Sequence, residues 1–151
     1  MNKTVAYCSM LVVGLFLTVV TVCKPHVLSD DSGFLRDFVN ANLVLVAGVI
    51  LTITLASAAQ IHLALNEIES RIGRPFLHKT RAGVHGSAYW LIGLFLTSTV
   101  VALVKPYFQS SIVGQSVFNS AALFVLFWMV LIMTSLTRLI FTIKPHFDSG
   151  E

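Results

Sequence analysis

Four stretches of the chain are nearly free of polar residues, at roughly 5–23, 41–65, 88–104 and 121–143. A helix needs about 20 apolar residues to cross the hydrocarbon core of a bilayer. The first and third stretches are close to that length. The second and fourth exceed it, so they tilt or protrude. None alternates apolar with polar residues as a barrel strand does. Helices are then the only spanning structure whose backbone satisfies itself. The pattern predicts an all-α membrane protein with four transmembrane helices, arranged as two hairpins of the same orientation. They form a single transmembrane domain over 1–151. Composition agrees, since 11% of the residues are charged and 56% hydrophobic. A soluble domain uses about twice that charged fraction. No small-x-small site follows the first stretch, and Val22 ahead of Cys23 does not suit a lipoprotein signal, so it is read as a span.

Every stretch leaves the membrane on the same kind of tripeptide: Lys24-Pro25-His26, Arg74-Pro75-Phe76, Lys105-Pro106-Tyr107 and Lys144-Pro145-His146. The cation complements the negative end of the helix dipole. Proline ends the helix and disfavours helical geometry just before it. The ring suits the headgroup region. These residues are read as stop signals rather than catalytic groups.

Charge orients the chain. Lys3, Arg71, Arg74, Lys79, Arg81, Arg138 and Lys144 fall on one side, and Lys24, Arg36 and Lys105 on the other. Short loops rich in Lys and Arg stay in the cytoplasm. The termini and the 66–87 segment are therefore expected inside, and the 24–40 and 105–118 loops outside. Asp30, Asp31 and Asp37 in the first outer loop read as solvated surface. The two halves look alike: Phe38-Val39-Asn40 corresponds to Val117-Phe118-Asn119, with matching points 79–81 residues apart. That spacing suggests a repeat about an axis along the membrane normal.

The second span carries the most distinctive pattern. Nothing breaks a helix from about Asn40 to Ile72, so it extends into the cytoplasm for a length of about 50 Å. At 100° per residue Asn42, Ser57, Gln60, Glu67 and Arg71 share one side with Ala56 and Ala64. Polar groups in hydrocarbon must face protein or water. Two readings stay open for this stripe. It packs against other helices, or it lines a pore shared by several copies. Four helices of this size leave no room for a pore within one chain. The fourth span has a looser stripe of Ser120, Thr134, Arg138 and Thr142, with Arg138 able to snorkel. Thr97, Ser98 and Thr99 can bond their own backbone.

Candidate chemistry is sparse. His62 and His85 could be imagined as haem ligands, which keeps a membrane-embedded enzyme or redox carrier as the alternative reading. No metal-ligand spacing is present, no cofactor is expected, and no carboxylate lies within the spans to couple transport to protons. Cys8 and Cys23 lie at opposite ends of one helix, about 22 Å apart, too far to pair. Cys23, near the outer face, could cross-link two protomers, but is read as a buried free thiol. Arg71, Arg74, Lys79 and Arg81 form a basic surface for anionic lipid or a cytosolic partner. The net charge of +3 is too weak to argue for nucleic acid.

As a layout, the whole chain resembles the small four-span membrane subunits of bacterial anti-phage defence modules, such as the membrane subunit of the Kiwa system. That resemblance implies a homo-oligomer in the bacterial inner membrane, channel-like or scaffolding, that works with a cytosolic protein. The chain lacks the polar arginine and asparagine signature of the eicosanoid and glutathione membrane transferases. It also lacks the cysteines of the disulfide-forming four-helix proteins and the membrane glutamate of small multidrug transporters.

Topology reporters test the charge asymmetry. A cytoplasm-active reporter fused after Glu151 or within 73–77 is expected to be active, and one inserted near Gly33 inactive; the reverse pattern overturns the N-in, C-in reading.

Overall fold

The computed structural model describes residues 3–72 and 78–143. Among them the elements run α1 (Lys3–Cys23), two 3-10 turns (Pro25–Leu28 and Asp30–Ser32), the single-turn α2 (Phe34–Asp37), a π-type turn (Phe38–Asn42), α3 (Leu43–Ile72), α4 (His78–Val104), a 3-10 turn (Lys105–Phe108) and α5 (Ile112–Ile143). Among the described residues there is no strand, and four helices are long and apolar enough to cross a membrane. The exits Arg74-Pro75-Phe76 and Lys144-Pro145-His146 lie outside the described residues.

The two described Lys-Pro exits behave alike in backbone. Each places proline at the start of a 3-10 turn directly after a spanning helix, where a missing N–H costs nothing. They differ in side chain: Lys24 is exposed while Lys105 is buried. The second span begins with a break rather than a smooth helix. Val39 and Asn40 leave helical geometry, and the Asn42 amide donates back to the Asp37 carbonyl at 3.0 Å. That bond satisfies a carbonyl at the break. The fourth spanning helix starts at Ile112, ahead of its apolar stretch. Ser111 caps it by accepting from the Gly114 N–H at 3.3 Å. A Cβ on Gly114 would lie 3.0 Å from the Phe108 carbonyl, so the close approach of the 105–108 turn requires glycine there. Gly33, with φ of +70°, turns the chain into α2.

Helices α3, α4 and α5 pack on one another around Ala58, Leu65, Leu91, Val125 and Met129. Buried positions on α3 fall at Leu43, Ala47, Thr54, Ala58, Ile61 and Leu65, the three- and four-residue spacing of one helical face. Helix α1 rests chiefly on α5. Leu17 is its one buried hydrophobic residue among those described, and Thr21 meets Ser120 of α5 at 2.6 Å. Its other large side chains, Leu11, Leu15 and Phe16 among them, face outward. Such a surface suits acyl chains rather than water. Hydroxyls on the spans bond the preceding turn, as in Thr52 to Gly48, Ser57 to Ile53, Thr97 to Gly93 and Thr99 to Phe95. They thereby satisfy themselves without a neighbouring helix. Cys23, expected to be buried, is exposed on α1, as is Cys8.

Removing a core contact tests the three-helix centre. Leu91→Ala should lower stability by about 2–5 kcal/mol, read as a fall in the melting temperature of the detergent-solubilised protein.

Candidate functional site

The densest polar cluster lies where the α1–α3 connection meets the α4–α5 connection. Lys105, at the end of α4, does not snorkel outward. Its Nζ donates to Asp30 Oδ1 at 2.8 Å and to the Leu35 carbonyl at 3.2 Å. The side chains are 3% and 9% exposed. Asn119, buried within α5, donates from Nδ2 to the Leu28 carbonyl at 2.8 Å and to Asp30 Oδ1 at 2.9 Å. Gln115 accepts from the Asp30 N–H at 3.1 Å and its amide donates to the Gln109 carbonyl. One carboxylate thus receives a cation and an amide, while its own backbone is held by a second amide. A buried charge needs this degree of pairing.

This overturns two sequence expectations. Asp30 belongs to the core and not to a solvated acidic loop. Lys105 ties the ends together instead of merely stopping a helix. Asp31 does stay exposed. Its carboxylate accepts from the Ser29 hydroxyl at 2.8 Å and faces His26 Nδ1 at 3.3 Å. The Ser29 bond, and then the imidazole, hold its carboxyl below the usual range. The local stabilisation is therefore present at neutral pH and lost as pH falls through that lowered value. Ser29 is buried and donates to a carboxylate and a carbonyl, which is no arrangement for a nucleophile. The proposed repeat is uneven at the same level: Asn40 is exposed at the break, whereas Asn119 is buried in a helix.

A second polar contact joins α3 to α4 near their connection. Arg81 donates from Nη2 to Glu69 Oε2 at 2.8 Å and to Asn66 Oδ1. One turn further along each helix, the His62 and His85 rings meet edge to face, with centroids 5.5 Å apart. Leu65 and Val84 pack in the core beside the pair, so a haem macrocycle would have to prise the helices apart.

The predicted stripe on α3 points away from this interior. Asn42, Gln60 and Glu67 are exposed and Ser57 is half-buried. Asn42 and Ser57 are satisfied by backbone carbonyls. Gln60 makes no hydrogen bond with any described residue. Of the basic surface, Arg74 lies outside the described residues, as do the side chains of Arg71 and Lys79. Arg81 is engaged with Glu69. No group of three or more His, Cys, Asp or Glu comes together among the described residues. The Lys105 cluster escaped the sequence reading because its members are 75 and 89 residues apart. The one signal was Asn119, an amide near the start of an apolar helix. Comparison with protein-family models, curated proteins and solved structures finds no match to the chain.

Breaking one partner of the cluster should cost more than removing the charge pair. Lys105→Met leaves Asp30 buried and uncompensated, a loss of about 3–5 kcal/mol. Lys105→Met with Asp30→Asn should recover much of it. Thermal denaturation of the three proteins in detergent checks the order, and equal losses would show the pair to be inert.

Proposed function

We propose that the chain is an oligomeric integral membrane subunit whose copies meet along the outward polar face of α3. In this reading both termini and the 66–87 segment lie in the cytoplasm of a bacterial inner membrane, as the positive-inside rule implies. The subunit works there with a cytosolic protein, and phage defence is the setting that the four-span resemblance implies.

The observation that carries the reading is Gln60. It lies about 26 Å along α3 from Leu43, within the span of a hydrocarbon core about 30 Å thick. Its amide is exposed and has no hydrogen-bond partner among the described residues. Facing lipid, such a group is costly; facing the same residue of another copy, it is satisfied. Ala56 and Thr52, one and two turns away, are also exposed and small enough for close helix approach. Leu91 and Met129 are fully buried at the centre of the bundle, so any ion path would run between copies and not through one. The docking surface is Arg71, Arg74 and Lys79, while Arg81 serves the contact between α3 and α4. No observation favours the enzyme or redox reading over this one.

Native mass spectrometry in a mild detergent tests assembly. The parent protein should be a discrete oligomer, and Gln60→Leu should shift it toward monomer. The shift corresponds to about 0.6–1.7 kcal/mol per contact. A monomeric parent, or a Gln60→Leu oligomer of unchanged strength, overturns the reading. Liposome flux separates the two forms: flux abolished by Gln60→Leu and Asn42→Leu marks conduction, and no flux from an intact oligomer marks a scaffold.

A further inference from the structure

The contact between α3 and α4 holds two imidazoles that meet edge to face and make no hydrogen bond among the described residues. Arg81, Asn66 and Glu69 already join the helices by hydrogen bonds. His62 and His85 add none. His62 Nδ1 is buried and has no hydrogen-bond partner among the described residues. A buried ring nitrogen left this way costs free energy. His85, across from it, is exposed.

We infer that His62 and His85 form a two-imidazole site for a borderline divalent metal ion, of which Zn²⁺ and Ni²⁺ are the test cases. Imidazole is the ligand these ions favour. Metal–nitrogen bonds of about 2.0–2.1 Å put two rings on one tetrahedral ion with centroids roughly 5 Å apart. The rings here are 5.5 Å apart. They stand on two helices that the Glu69–Arg81 ion pair already joins one turn away. The exposed His85 can turn about its side chain to bring a nitrogen toward the ion, and water reaches the remaining coordination positions from its side. The bound ion would cross-link α3 to α4 one turn from the Arg81 contact. This inference stands independently of oligomerisation.

Tag-free, full-length protein, stripped by a chelator and kept in detergent, is titrated with Zn²⁺ and separately with Ni²⁺ against a chromophoric competitor. The expected result is one ion per chain. His85→Ala, which alters an exposed side chain, and His62→Ala should each weaken binding about tenfold or more. His26→Ala should leave it unchanged. The ion should also raise the melting temperature of the parent protein and not that of His85→Ala. Binding by His85→Ala as tight as by the parent, loss of binding with His26→Ala, or no saturable binding overturns the site.

Discussion

An ammonium and a carboxylate removed from water must find each other, and in this protein the rest of one end is arranged around that need. Lys105 and Asp30 meet at 2.8 Å with little solvent access. At such burial the desolvation cost is large, and the attraction repays it only when the remaining hydrogen-bonding positions are filled. Leu35 fills one for the lysine, and Asn119 one for the aspartate. The consequence is geometric. The segment after α1 is held against α4 and α5 by residues from both, and α1 arrives at its place through that segment. Leu17 and the Thr21–Ser120 contact would be slender support for it alone.

Away from that end the chain follows the rule for lipid, in which each polar group is satisfied locally or turned toward protein. Thr52, Ser57, Thr97 and Thr99 bond the preceding turn of their own helices. The small residue Ala47 and the larger Leu91 and Met129 fill the centre. Gln60 departs from the rule, and so do His62 Nδ1, Arg81 Nε, Ser116 Oγ and Asn119 Oδ1, which are buried without a hydrogen-bond partner among the described residues. Gln60 and His62 have different surroundings. Gln60 faces outward, where only another molecule can answer it. His62 faces a second imidazole across a fixed helix contact. The two proposals rest on that difference: assembly on Gln60, a small ligand on His62.

The ends of the bundle also differ in character. At the Lys105 end, polar groups are buried, crowded and drawn from distant parts of the chain. At the Arg81 end they come from two neighbouring helices and are partly exposed. The first arrangement resists change. The second leaves side chains partly open to their surroundings, and it is close in sequence to Arg71, Arg74 and Lys79.

Local pattern alone determined that four helices are long and apolar enough to span a membrane, because hydrophobic length is a property of consecutive residues. It also determined where Cys23 and Val104 end their helices, because proline acts on its immediate neighbours. The fate of Lys105 was not legible, since Lys24 stands in the same tripeptide and remains exposed. What separates them is Asp30 and Asn119, brought to Lys105 only when the helices pack. The start of α5 was hidden for the same reason: Gln115 falls within the 105–118 loop of the sequence pattern until its partner across the bundle, the Asp30 N–H, is known. The α3 stripe could be drawn from helical periodicity, but its direction could not. Periodicity says which residues share a face. Only the packing of α3 on α4 and α5 decided that this face looks away from the core.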